Sequence, residues 1–277
     1  IENLKNNRQL PDRAVSITFD DGYLSIYEEA FPLLQSFDFP FALFVSSDPL
    51  NRNQANYMSW EQVREMSEAG ALVANHMVEH PYMLNRFDGE GQEQWLERQR
   101  AELLVAEETI TRETGQSHRY LAYPYGEFNP AIKLMLAELD FIGLAQNSGA
   151  VGFNSDFLAL PRYPLASIYA NLDTASTKFD TKAFNVRLVS PKSPVVTVRN
   201  PSVTLQFGPG NYSFSQIACF ANSQPIPMNW LDREAGLVEL VPDQEYSGRR
   251  WRYICTAPDP GTNSYYWYSV QWIHSEN

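Results

Sequence analysis

The sequence predicts an α/β fold built on parallel β/α units, followed by a small all-β sandwich. Three observations carry this reading. Apolar runs of strand length alternate with amphipathic helical stretches as far as residue 172, after which short strands separated by Pro and Gly turns take over. The charge balance changes at the same place: residues 1–172 hold 24 Asp and Glu against 12 Lys and Arg, whereas residues 173–277 hold 9 of each. The expected organisation is therefore a first domain over 1–172, a linker over 173–192 and an accessory β domain over 193–277.

Residues 14–19 read as a buried strand, and IYEEAFPLLQSFDF as a helix with Ile26, Ala30, Leu33, Leu34 and Phe37 at helical spacing despite Pro32. FALFV is a second buried strand. SWEQVREMSEAG has Ser59 as N-cap, Gln62 as its capping-box partner and Gly70 as the stop. ALVANH follows as a third strand. Gln92 to Thr114 forms a long amphipathic helix with Leu96, Leu103, Ala106 and Ile110 on one side. RYLAYPYG is a fourth strand ending in a turn, and a helix around PAIKLMLAELD leads to FIGLAQ and FLALPRYPLA. Beyond the linker, Gly208-Pro209-Gly210, Pro225-Ile226-Pro227 and Pro258-Asp259-Pro260-Gly261 mark turns between short strands. In the run SYYWYSVQW, Tyr265 and Trp267 are expected to pack in a core rather than bind sugar.

With 277 residues, 44% hydrophobic and 19% charged, the chain has material for a large core. A net charge of -12 disfavours nucleic acid and favours a cationic polymer or product. No apolar run approaches the roughly 18 residues of a membrane span. The opening IENLKNNRQLPDR shows neither an initiator Met nor a signal peptide, so a mature or trimmed form is expected. The two cysteines, Cys219 and Cys255, each lie in a strand-like run, and an inter-sheet disulfide is favoured over two buried thiols. A bridge implies an oxidising compartment.

The chemistry gathers at strand ends. Asp20 and Asp21 stand side by side after an apolar strand and before Gly22, where the plain reading is an Asp-Gly turn. The alternative divides the work, one carboxylate holding a cation and the other taking a proton. In NHMVEHP, His76 and His80 are four apart, the spacing that puts two imidazoles on one side of a helical turn. Carboxyl ends of parallel strands converge on one mouth, so Asp20, Asp21, His76, His80 and the YPYG turn are expected together. One Asp and two His leave a zinc ion an open position for water, which is a hydrolytic arrangement.

TFDDG at 18–22, NHMVEHP at 75–81 and AYPYG at 122–126 resemble the first three motifs of the polysaccharide deacetylases, the NodB-homology enzymes of carbohydrate esterase family four. The resemblance spans about residues 10–170. It implies a distorted (β/α)7 barrel and metal-dependent removal of acetyl groups from N-acetylated sugars. Carried over by position, it makes Asp21, His76 and His80 the metal ligands, Asp20 the general base, and the backbone N–H of Tyr125 the partner of the developing oxyanion. Zinc is the expected metal, with cobalt or nickel as alternatives. Tyr123, Pro124, Trp60 and Phe153 are candidates for the sugar-binding groove.

Three departures from the family pattern matter. Asn75 stands where a Ser or Thr often precedes the first His, and Ala122 where an Arg usually precedes the PYG turn. Arg162, the only Lys or Arg between Lys133 and Lys178, is the expected replacement partner for Asp20; the alternative is a surface Arg packed on Tyr163. No His occurs between His118 and His274, so the late-motif His that protonates the leaving amine is missing. Asp20 is expected to return the proton it took, with His118 or His274 as alternatives. The pattern resembles the exopolysaccharide, poly-N-acetylglucosamine branch of the family, ahead of peptidoglycan, chitin and O-acetylated xylan as substrates. A carbohydrate-binding member with weakened catalysis is the competing class. The protein is expected to be exported, to the periplasm or beyond the cell, and monomeric.

Overall fold

The computed structural model describes residues 1–274. The chain divides into two compact units: Ala14–Glu127 with Ala131–Leu144, and Ile1–Arg13 with Phe128–Pro130 and the chain from Ala145 on. A short helix, α1 (Glu2–Lys5), opens the chain.

The first unit is built on five parallel strands in sequence order: β1 (Ile17–Asp21), β2 (Phe41–Val45), β3 (Leu72–Asn75), β4 (Tyr120–Ala122) and β5 (Ile142–Leu144). This is a parallel half-barrel sheet of five strands, where a distorted barrel of seven was expected. Its central strands are largely apolar because both faces are covered, and Leu43, Val45 and Val73 are fully buried.

Between β1 and β2 the expected single helix is split. Pro32 has no N–H to give an α-helical bond, and residues Ile26–Ala30 widen into a π-helical turn, with the Phe31 N–H reaching back to the Ile26 carbonyl. The helix α2 (Phe31–Ser36) then resumes with Pro32 in its first turn. Leu33 and Phe37, expected on its apolar side, are exposed. After β2 come α3 (Ser47–Asn51) and α4 (Trp60–Glu68). The capping box at α4 is formed in both directions: Ser59 Oγ accepts from the Gln62 N–H, and Gln62 Oε1 accepts from the Ser59 N–H at 2.8 Å. The long helix α5 (Gln92–Thr114) ends on Gly115 in the left-handed conformation. Its buried face carries Trp95, Leu103, Ala106 and Ile110, but also Gln99 and Glu107. The helix α6 (Pro130–Glu138) precedes β5.

The second unit is strand-rich. The stretch 173–192, expected as a linker, is structured: it holds most of α7 (Leu172–Phe179), β6 (Thr181–Ala183) and β7 (Val186–Ser190). Asn171 caps α7 by accepting from the Thr174 N–H, a signal hidden in a polar stretch. The remaining strands are β8 (Val195–Val196), β9 (Val203–Phe207), β10 (Ala218–Ala221), β11 (Gln224–Pro225), β12 (Met228–Asp232), β13 (Leu237–Leu240), β14 (Arg250–Pro258) and β15 (Tyr265–His274). They form two sheets, β11-β10-β14-β15-β6 with β8 also on β15, and β12-β13-β9-β7. Leu205 and Val238 from one sheet and Tyr253, Cys255 and Trp272 from the other share a single core.

The disulfide between Cys219 and Cys255 is present, but it does not join two sheets. The residues are direct cross-strand partners on β10 and β14, with Cα atoms 4.1 Å apart. Such close opposition is that of a non-hydrogen-bonded antiparallel pair. On β15, Val270 and Trp272 are buried, Trp267 is half-buried and Tyr265 is exposed.

Candidate metal centre

The parallel register brings the carboxyl ends of three strands level. Asp21 pairs with Val45 across β1 and β2, and Val45 with Asn75 across β2 and β3. The chain leaving β3 is held at once, the His76 N–H donating to the Val45 carbonyl at 3.0 Å. His76 thus begins its loop level with the strand end that carries Asp21.

Asp21 Oδ1 lies 3.3 Å from His76 Nε2 and 3.4 Å from His80 Nε2. One ligand atom from each of the three residues falls within 4.8 Å of the others. His76 is fully buried, and its Nδ1–H donates to the Ala122 carbonyl at 2.7 Å. A carbonyl only accepts, so this bond places the proton on Nδ1 and leaves the Nε2 lone pair aimed at a carboxylate. Nε2 is buried with no hydrogen-bond partner among the described residues. Two acceptors facing each other in a buried place call for a cation between them, and the donor set of two imidazoles and one carboxylate suits zinc. Burial, and then the neighbouring His76, push the His80 imidazole down to about 4, against the opposing pull of Asp21 and Asp20. It is therefore neutral at pH 7, the form in which an imidazole can bind a metal.

The His pair sits on a loop rather than on a helical turn. Met77 and His80 have φ of 67° and 55°, and Asp21 and Tyr125 have 75° and 58°, so four non-Gly residues at the site hold left-handed backbone. Such strain persists only where the surroundings impose it. Asn75 is the main constraint here. It is fully buried, its Oδ1 accepts from the Met77 N–H at 2.8 Å, and its Nδ2 donates to the Leu103 carbonyl and to Glu107 Oε2, both at 3.0 Å. Ser46 Oγ donates to the His76 carbonyl, the Ser47 and Asp48 N–H groups donate to the Met77 and Val78 carbonyls, and Glu102 on α5 accepts from the Glu79 N–H.

Residues 7–143 match the polysaccharide deacetylase family. The chain carries a polysaccharide deacetylase domain. The poly-beta-1,6-N-acetyl-D-glucosamine N-deacetylase of Staphylococcus epidermidis is 27% identical over 166 residues, covering 57% of this chain and 56% of that protein. Its Staphylococcus aureus counterpart is 27% identical over 169 residues, with the same coverage. The chain spans just over half the length of these curated relatives. Among solved structures, the BpsB deacetylase domain of Bordetella bronchiseptica is 26% identical with a TM-score of 0.53, over 58% of this chain and 74% of that one. The Streptococcus pyogenes deacetylase PplD, solved with acetate, shares the fold at 24% identity and a TM-score of 0.53, over 58% of this chain and 68% of that one.

Within the deacetylase domain the sequence candidates separate. Asp20 is half-buried beside Asp21 at the end of β1, and Tyr125 occupies the turn Pro124–Gly126, its ring edge-on to His80 with centroids 4.4 Å apart. Trp60, Tyr123 and Pro124, expected to line a groove, are buried instead. Trp60 belongs to the apolar core and its Nε1 donates to Asn51 Oδ1 at 2.8 Å. The apolar environment under β2 and β3 takes a large aromatic as readily as a groove would, and periodicity cannot tell the two apart. Phe153 and Arg162 belong to the second unit, where Phe153 is exposed and Arg162 Nε donates to the Ala145 carbonyl at 3.0 Å. His118 is at the amino end of β4, whereas the candidate metal ligands gather at the carboxyl ends of β1 and β3. His274 closes β15 in the second unit.

The aromatic rings that do border the triad were not legible as such. Tyr82 lies flat on Tyr125, with centroids 3.9 Å apart and planes 6° from parallel, and Tyr23 packs on Tyr57 at 4.8 Å. The only signal in the sequence is that Tyr23 and Tyr82 each stand two residues past a metal-ligand candidate.

Proposed function

We propose that this chain is a metal-dependent hydrolase that removes N-acetyl groups from a polysaccharide containing N-acetylglucosamine, an exopolysaccharide such as poly-N-acetylglucosamine. The observation that carries the reading is the buried Nε2 of His76, without a hydrogen-bond partner among the described residues, facing the Asp21 carboxylate and His80, with a second carboxylate, Asp20, adjacent in the chain. The family match and the staphylococcal relatives support the reaction and the substrate class.

Asp21, His76 and His80 would hold the ion. A divalent cation there, zinc ahead of cobalt or nickel, supplies Lewis acidity that makes water a better nucleophile and polarises the acetamide carbonyl. The chain's own residues do the rest. Asp20, not needed as a ligand, takes one proton from the attacking water and returns it to the amine as the C–N bond breaks, so acetic acid and the amine leave, and the acid's remaining proton passes to the amine or to bulk water at neutral pH. The Tyr125 N–H would donate to the developing oxyanion.

We further read residues 1–172 as the catalytic region and the β-rich remainder as an immunoglobulin- or fibronectin-like accessory sandwich. The Cys219–Cys255 disulfide supports an exported protein, periplasmic or extracellular. The decisive experiment measures acetate released from poly-N-acetylglucosamine, peptidoglycan, chitin and acetylated xylan by zinc-loaded protein, with and without a chelator. Release from the first substrate, abolished by chelation and restored by zinc, is the expected result. A zinc-loaded protein that binds polymer but frees no acetate would make it a binding protein.

A further inference from the structure

Two tyrosines beside the triad remain unused by the mechanism. Tyr23, 43% exposed, follows Asp21 by two residues. Its place is fixed by backbone: the Leu24 N–H donates to the Asn56 carbonyl at 2.8 Å and the Met58 N–H to the Gly22 carbonyl at 3.0 Å, making Tyr23 and Tyr57 a bridge pair. Gly22 makes this turn with a φ of 92°, and a Cβ there would sit 3.2 Å from Leu50 Cδ1. Tyr57 backs Tyr23, its hydroxyl pushed up to about 12 by burial and then by its hydrogen bond to Tyr23, with the Asp21 carboxylate a smaller contribution. Tyr82, 38% exposed, follows His80 by two residues and is backed in the same way by Tyr125. Each exposed ring is thus one of a pair that borders a metal-ligand candidate, Tyr23 on the Asp21 side and Tyr82 on the His80 side.

We propose that Tyr23 and Tyr82 are platforms for the pyranose rings that neighbour the sugar being deacetylated. The proposal rests on the deacetylase reading for the sugar between them. A tyrosine offers a broad apolar face with a negative quadrupole, complementary to the C–H face of a pyranose, and a hydroxyl for the sugar's rim. Because a second ring holds each in place, little rotamer freedom is lost on binding. The substrate preferred by such a site has sugars flanking the acetylated unit.

The test uses the full zinc-loaded chain and β-1,6-linked N-acetylglucosamine oligomers from monomer to pentamer. Acetate release gives kcat and KM at each length, and calorimetry on the Asp20→Asn background gives pentamer affinity without turnover. Tyr23→Ala and Tyr82→Ala are each expected to raise KM and weaken pentamer affinity roughly tenfold, about 1.4 kcal/mol. They should also flatten the gain with length, and Phe at either position should recover most of the loss. Zinc content and melting temperature report whether the variants fold. Unchanged affinity and length dependence in both Ala variants, with the parent chain releasing acetate, overturns the platforms and leaves the deacetylase reading standing. Tyrosine-dependent binding with no acetate from the parent chain does the reverse. A loss in kcat alone would make Tyr82 a brace for Tyr125 and overturn its role as a platform.

Discussion

Asp20 and Asp21 are chemically identical neighbours in different surroundings. Both keep the β1 register, Asp20 opposite Phe44 and Asp21 opposite Val45, but Asp21 takes left-handed backbone and meets two imidazoles. Asp20→Asn should therefore lower acetate release by roughly two to four orders of magnitude, the usual worth of a general acid–base, with zinc per chain unchanged by elemental analysis. Near-normal turnover would remove Asp20 from the mechanism. Asn75, a departure from the family pattern, is a brace with bonds to Met77, Leu103 and Glu107. Asn75→Ala leaves the Met77 N–H and one Glu107 oxygen short of a partner in a buried place, at a cost of about 1–3 kcal/mol. Urea unfolding measures that cost, and weaker zinc binding should accompany it because the same bonds shape the His loop.

At the level of elements, α5 does more than cover the sheet. Its Glu102 accepts from the Glu79 N–H, and burial, with some help from Glu79, raises its pKa above the ordinary glutamate range. A raised carboxyl pKa means that the fold holds the proton more tightly than the unfolded chain does. The stabilisation is complete below about pH 4.3 and is lost as pH rises through the raised value. Glu102→Gln keeps an acceptor for Glu79 and discards the titration. Its unfolding free energy, compared with the parent at pH 4 and pH 7, should gain on the parent at the higher pH. An identical pH profile for both chains would show that Glu102 is solvated. Several elements were legible because their signals are local: the capping box at α4, the apolar run of β2, and α5 from Gln92 to Thr114, bounded by Gly91 and Gly115. The π-helical turn before Pro32 and the helix and strands in 173–192 were not. The first depends on how the chain recovers a lost N–H, and the second on strand pairing partners far away in the sequence.

Over the whole molecule, each unit has its own apolar core, and the net negative charge lies in the part that carries the candidate metal triad. Zinc that binds only the folded triad stabilises it by mass action, about 2.7 kcal/mol at a hundredfold excess over Kd. Thermal unfolding should therefore shift upward with zinc and return with a chelator. His76→Ala should abolish the shift, and a shift that survived this change would place the ion elsewhere. By itself the sequence determined the alternation of strands and helices, the change to β structure, and the residue types able to hold a cation and move a proton, because periodicity, capping and ligand chemistry are written within a few residues of one another. Only the tertiary structure decided that Trp60 and Tyr123 are buried while Tyr23 and Tyr82 face outward, that Cys219 and Cys255 pair within one sheet, and that Ala122 orients His76. Burial and strand register are properties of what lies across the fold from a residue, and no local pattern of sequence records them.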